Sequence, residues 1–259
     1  MKRSLVPAAA PSPAAEAAPD PAPFPYRDYS AALTDLTAAL ARGPFYGLVL
    51  GASGTGKTSL VRDLDATLDR HQHQLLYLSA PRVSLLSVVR FFAQSLRVTP
   101  RRSSLETIKV LADALAAQPT HLLAWIDEAG GLPRDTLSEL RSMAEFNHEV
   151  PQVFSVVLAG TPELRQALDA PELFPLKRRL SLHVTLQGLR RNELDAFLEH
   201  RFGCREAQRI VPSPRDELFE RAHGVPAILD RVVRHALSHV ARGPIDDEAL
   251  REAFDACGL

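Results

Sequence analysis

Cysteine is almost missing from this chain: 259 residues carry only Cys204 and Cys257. Neither has partners at metal-ligand spacing, so a disulfide scaffold and a cysteine zinc site are both excluded, and a reducing compartment fits. Lysine is nearly as scarce. It occurs at positions 2, 57, 109 and 177, and arginine supplies the rest of the 30 basic residues. No excess of either sign exists, since 31 acidic residues leave a net charge of −1. Such a balance gives no global pull toward nucleic acid or a membrane, so any DNA contact has to come from local basic clusters. No apolar run reaches the length of a membrane span. Met1-Lys2-Arg3-Ser4 is charged, but Ala/Pro sequence follows it instead of the apolar stretch of a secretory signal. These absences predict a cytoplasmic protein with no membrane partner.

What is present is a core-forming composition. At 46% hydrophobic residues, the chain can build one large α/β domain, or such a domain plus a small helical one. Residues 5–25 are mostly Ala and Pro and predict a disordered arm over 1–25. A helix is expected at roughly 29–41, ending near Gly43-Pro44. Strands are expected at 45–50, 74–79, 121–126, 153–159 and 181–186, with helices between them at 83–96, 103–117 and 133–147. Ser103 and Glu106 have capping-box spacing, and Thr161-Pro162-Glu163 reads as an N-cap with proline at the first helical position. Strands alternating with helices predict a parallel sheet covered on both faces over 26–188. From 189 to 259 the pattern is helical throughout, near 191–202, 214–223, 226–240 and 246–256.

The densest chemistry lies in Gly51-Ala52-Ser53-Gly54-Thr55-Gly56-Lys57-Thr58, which fills the template G-x-x-x-x-G-K-[ST]. The glycines let backbone N–H groups curl around a polyphosphate, and Lys57 neutralises charge on the β- and γ-phosphates. The Thr58 hydroxyl can ligate Mg²⁺. A strand precedes the loop and a helix beginning about Ser59 follows it, so the helix dipole adds to anion binding. The third strand ends in Asp127-Glu128. There Asp127 would hold the metal through its water shell, and Glu128 would orient and deprotonate the attacking water. Thr161 closes the fourth strand, where its hydroxyl has two readings: a hydrogen bond to the γ-phosphate or lytic water, or a plain helix N-cap. Arg178 and Arg179, next to Lys177, read either as a solvated basic turn or as a finger reaching a neighbouring subunit's nucleotide. Arg179 is the preferred finger.

The blocks GASGTGKTSL (51–60), HLLAWIDEAGGL (121–132) and LSELRSM (137–143) together resemble AAA+ ATPases of the ExeA/TniB/TnsC-like group. FSVVLAGTPELRQAL (154–168), LKRRLSLHVTLQGL (176–189) and GVPAILDRVVRHAL (224–237) continue the resemblance, which spans residues 26–257. That group includes transposition helper ATPases related to Mu B. The resemblance implies an AAA+ P-loop core with a C-terminal helical lid, and ATP and Mg²⁺ as cofactors. It also implies assembly into rings or filaments, a sensor role for Thr161 and a finger role for Arg178 or Arg179. One departure stands out. Members often carry Gly-x-Pro-Arg in the lid, where the arginine contacts ATP, and here Gly224-Val225-Pro226 is followed by Ala227. Arg231, one helical turn on, is the expected substitute. Tyr26, Arg27 and Tyr29 are candidates either for the adenine pocket or for simple packing.

Arg82, Arg90 and Arg97, then Arg101 and Arg102, fall between the second strand and the capping-box helix. They read as phosphate contacts to double-stranded DNA or as ordinary solvated helix faces. Few aromatics are interleaved with them, which argues against base stacking. The pairs His71/His73 and His235/His239 lack a third ligand, and Trp125 reads as core. The expected function is an ATP-dependent regulator that oligomerises on target DNA and recruits or activates a transposase. The alternatives are an ExeA-type secretion-accessory ATPase and a nucleotide-dependent scaffold or STAND-type switch with no DNA role.

Overall fold

A computed structural model describes residues 22–79, 82–117, 121–141, 143 and 154–259. Five strands form one sheet: β1 Tyr46–Gly51, β2 His73–Ser79, β3 His121–Asp127, β4 Phe154–Gly160 and β5 Leu180–Leu186. Their order is β2-β3-β4-β1-β5 and every pairing is parallel. All five lie within a residue or two of their expected positions. Of the expected helix at 133–147, the described residues hold Arg134–Glu139, and residues 142 and 144–147 lie outside them.

Side-chain alternation splits the apolar residues of the inner strands between two cores. Leu48, Leu50, Leu122, Ala124, Ile126, Val156 and Leu158 face one side, packed with the helices Leu85–Ser95, Ser104–Ala116 and Arg134–Glu139. Val49, Leu123, Trp125, Val157 and Ala159 face the other, packed with the helices Arg27–Arg42 and Lys57–Thr67. Trp125 is fully buried in this second core, as its place in the strand predicts.

The lid comprises helices Leu194–Phe202, Cys204–Ala207, Pro212–Ala222, Pro226–His239 and Asp247–Ala256. The short Cys204–Ala207 turn is one helix more than the periodicity shows. The lid's Leu194, Leu198, Leu218, Leu229, Val233 and Phe254 belong to the same hydrophobic cluster as Val49 and Leu123. The lid is thus packed onto the face that also carries the helix after the phosphate loop. Residues 22–25, expected to belong to the disordered arm, are packed instead. Phe24 packs edge-on against Phe197 at 5.7 Å, and the Ala22 carbonyl lies 2.9 Å from His200 Nε2. One aromatic ring gives residues 22–25 a burial anchor that Ala/Pro content does not predict. Residues 1–21 lie outside the described residues.

Candidate active site

The site forms at the carboxyl ends of β1, β3 and β4, the edge where open parallel sheets place their ligands. β4 lies between β1 and β3, so Thr161 stands between the phosphate loop and Asp127. Gly54 and Gly56 have φ of +85° and +101°, in the region only glycine enters without strain. Lys57 opens an eleven-residue helix directly after them. Its ammonium donates to the carbonyls of Gly51 at 2.7 Å and Ala52 at 3.0 Å. Two of its three donors therefore fold the loop around it, and the third is left to face an anion. Burial pulls the Lys57 pKa below its ordinary value, while the charges of Asp127 and Glu128 pull it back up.

Asp127 is buried and fully engaged. Its Oδ2 accepts from Thr58 Oγ1 at 3.1 Å and from the Tyr77 hydroxyl at 2.9 Å, and its Oδ1 accepts from the Glu128 N–H at 2.9 Å. Burial and the bond to Asp127 push the Tyr77 phenol up to about 12, so it stays a donor across the physiological range. Tyr77 is a residue that sequence reasoning missed. Its sole signal was an aromatic with a polar tip two positions from the end of a strand that turns out to neighbour β3. Glu128 takes the left-handed backbone conformation, φ +53°, a sparsely populated region costing about 1 kcal/mol or more for a non-glycine residue. That turn carries the chain from β3 into the short helix Ala129–Gly131 and leaves the Glu128 carboxylate exposed at the cleft.

Two adjoining clefts meet at the loop. The first, about 640 Å³, is lined by the loop, Asp127, Glu128, Gly160, Thr161 and Glu163. Thr161 makes no side-chain capping bond to its helix. The nearby Thr161 hydroxyl and a backbone N–H hold Glu163 below the usual carboxylate range. The second cleft, about 530 Å³, lies between loop and lid and is lined by Tyr26, Tyr29, Arg62, Phe197, Arg201 and Asp230 among others. Tyr26 and Tyr29 are both buried. Tyr26 donates to the Thr55 carbonyl at 2.8 Å and Tyr29 to Asp63 at 2.7 Å, so each ring is fixed against the loop or the helix after it. Arg27 is exposed and lines neither cleft.

The lid touches the loop through its backbone, as the Ala227 N–H donates to the Gly54 carbonyl at 3.2 Å. Contact is close enough that a Cβ on Gly54 would fall 2.7 Å from the Ala227 Cβ. Arg231, the expected substitute for an arginine at 227, is exposed and lines neither cleft. The lid residues that do line the second cleft with charge are Arg201 and Asp230.

Arg178 and Arg179 lie elsewhere. Leu180 pairs with Tyr46 at the amino end of β1, whereas the loop leaves Gly51 at the carboxyl end. A six-residue strand separates the two ends by about 17–20 Å, beyond the reach of an arginine side chain. Arg178 stacks over Phe174 with its guanidinium 6.0 Å from the ring centroid. Arg82, Arg90, Arg97, Arg101 and Arg102 are all exposed on the side of the sheet away from the lid. An Arg90 guanidinium nitrogen lies 3.5 Å from the Arg101 carbonyl, so those two residues are neighbours, while Arg82 precedes the same helix at its other end. The histidines regroup. His73 faces His121 across β2 and β3 at 5.6 Å, while His235 stacks on His239 at 4.0 Å. No cluster of three or more metal-binding side chains is found among the described residues.

The groups present fit a magnesium nucleotide. The loop's positive-φ glycines suit a backbone that curls around an anion, a cation stands beside them, and a hydroxyl and a carboxylate able to hold a hard metal lie within hydrogen-bond distance of each other. Residues 42–168 match the model of an AAA domain family. The chain is 26% identical over 226 residues to the general secretion pathway protein A of Aeromonas hydrophila. That match covers 82% of this chain but 40% of the relative. Among solved structures it resembles Cdc6p of Pyrobaculum aerophilum, with a TM-score of 0.66, 17% identity, and 92% and 69% of the two chains covered. It also resembles the Aeropyrum pernix ORC1 protein, solved in complex with DNA, with a TM-score of 0.59 and 20% identity over 92% and 66%. A third likeness is to Thermotoga maritima RuvB, with a TM-score of 0.56 and 19% identity over 88% and 67%. None of the helices among the described residues is long and apolar enough to cross a membrane. The chain has the P-loop AAA fold, a five-stranded parallel sheet flanked by helices.

Proposed function

We propose that the protein is a magnesium-dependent ATPase that assembles on double-stranded DNA in its ATP-bound form and there recruits or activates a transposase. The observation that carries the enzymatic part is the convergence of Lys57, Thr58, Asp127, Glu128 and Thr161 on one cleft. In this reading the loop N–H groups and Lys57 bind the triphosphate, and Thr58 and Asp127 hold the metal, which when bound neutralises charge on the β- and γ-phosphates. Glu128 takes the proton from the attacking water, and Thr161 positions that water or the γ-phosphate.

Assembly follows from where the arginines stand. Arg178 and Arg179 lie a strand's length from their own loop, so completing a site with either requires a second subunit. The exposed arginines at 82, 90, 97, 101 and 102 supply phosphate contacts, and the DNA in the ORC1 structure supports a nucleic-acid role for this fold. The transposase rests on the sequence blocks at 121–143 and 154–168. Imaging the protein with a non-hydrolysable ATP analogue, with and without duplex DNA, tests assembly. Rings or filaments on DNA are expected, and single subunits under all conditions would refute it. Affinity for DNA should fall steeply with added salt, and a flat salt series would rule out phosphate contacts.

The similarity to the Aeromonas secretion protein favours a second reading, an ATPase that serves envelope assembly. ATP turnover separates the two. Stimulation by duplex DNA supports the first reading, and turnover indifferent to DNA supports the second.

A further inference from the structure

Position 227 brings a methyl group to the loop, and its backbone is engaged by Gly54. The lid nevertheless carries a cation into the second cleft from another helix. Arg201, in the last turn of Leu194–Phe202, lines that cleft together with Gly54, Gly56 and Ser59. Its side chain is only 14% exposed. A guanidinium so far withdrawn from water needs an anionic partner, and Nε donates to Asp230 Oδ1 at 2.5 Å. Asp230 also lines the cleft.

Asp230 is shared. Arg234, one turn along the same helix, donates to Oδ1 at 2.9 Å and to Oδ2 at 3.4 Å. The carboxylate therefore keeps a cationic partner if Arg201 leaves it, which removes the main cost of breaking a buried ion pair. The helix bearing Arg201 is also tied to the segment that enters the core, through Phe24 on Phe197 and the Ala22 carbonyl on His200. Movement of Arg201 toward the loop would carry that segment and the neighbouring Tyr26 with it.

We propose that Arg201 is the lid's nucleotide-binding cation, exchanging Asp230 for a phosphate oxygen when a nucleoside triphosphate enters between loop and lid. Arg234 holds Asp230 during the exchange. The inference rests on the nucleotide reading of the cleft and adds to it the group through which the lid senses the ligand. Arg201 and Asp230 compete in this account, so their substitutions act in opposite directions.

The experiment is calorimetric titration of the full chain with magnesium ATP, without DNA, for wild type, Arg201→Gln, Arg201→Lys and Asp230→Asn. Losing a charged hydrogen bond should weaken ATP binding about tenfold or more in Arg201→Gln. Asp230→Asn should bind at wild-type strength or more tightly, because the competing acid is gone. Arg201→Lys, which keeps the charge but not the planar fork, should bind more tightly than Arg201→Gln, and if Arg201→Gln does not fold, Arg201→Ala takes its place with the same expected loss. A purely structural ion pair predicts otherwise: the Asp230 and Arg201 substitutions would weaken binding by the same factor, and that result overturns the proposal. So does wild-type affinity in Arg201→Gln. Wild-type protein that binds no nucleotide takes down the reading of the whole cleft, whereas wild-type binding with indifferent variants takes down Arg201 alone.

Discussion

Asp127 shows how closely one side chain is held. Three donors from three different segments converge on it: Thr58 after the loop, Tyr77 on the neighbouring strand, and its own successor's N–H. Thr58 and Asp127 are legible as a pair in the sequence because each belongs to a motif with a stated mechanism. Tyr77 is not, because its relation to Asp127 exists only once β2 is placed beside β3. The same holds for Arg201 and Asp230, which lie in lid helices whose packing no local pattern reveals. Tyr77 acts through Asp127, so Tyr77→Phe should raise the magnesium concentration needed for half-maximal turnover. One lost hydrogen bond of about 1 kcal/mol corresponds to roughly threefold to tenfold. Turnover at saturating magnesium should change little, and a magnesium titration of both proteins reads the split.

At the scale of elements, strand positions were readable because buried parallel strands are continuous apolar runs closed by Gly, Pro or acidic residues. The strand order was not readable in this way, because it depends on pairings between distant segments, and the histidines show what register adds. His71 and His73 look paired in sequence, yet alternation and the parallel register set His73 beside His121. At the amino end of the sheet His121 Nε2 lies 2.8 Å from the Ser155 hydroxyl, which also accepts from the Phe45 N–H at 3.1 Å. Burial, and then the neighbouring His73, depress the His121 pKa to about 4. Its ordinary value is about 6.5, so the unfolded chain takes up the proton first as pH falls. The contribution of neutral His121 to stability is therefore complete above about pH 6.5 and is lost progressively toward pH 4. The thermal midpoint should drop between pH 7 and pH 4.5, and the drop should shrink in His121→Asn. An equal drop in both proteins would show that other groups cause it.

For the whole molecule, the lid is not an appendage. Its core is continuous with the sheet face behind the phosphate loop, and its backbone bonds Gly54. Periodicity showed a helical tail but not which face it covers, because that depends on contacts between residues far apart in sequence. Arg178 and Arg179 stand at the opposite end of β5 from the loop, so under the proposed function they would serve a neighbouring subunit's site and catalysis would be a property of an assembly. Subunits carrying Lys57→Ala cannot bind nucleotide but offer intact fingers. Subunits carrying Arg178→Ala and Arg179→Ala offer intact loops but no finger. Each variant alone should be nearly inactive, and mixing them should restore a measurable fraction of phosphate release. A mixture no more active than its parts would argue that each subunit completes its own site.

The central claim is that this cleft cleaves the γ-phosphate with Glu128 as base, and steady-state phosphate release from magnesium ATP in the presence of duplex DNA tests it most directly. Glu128→Gln should bind nucleotide as wild type does and release phosphate about 100-fold more slowly or less, the range expected for losing a positioned general base. Phosphate release at the wild-type rate from Glu128→Gln would contradict the account.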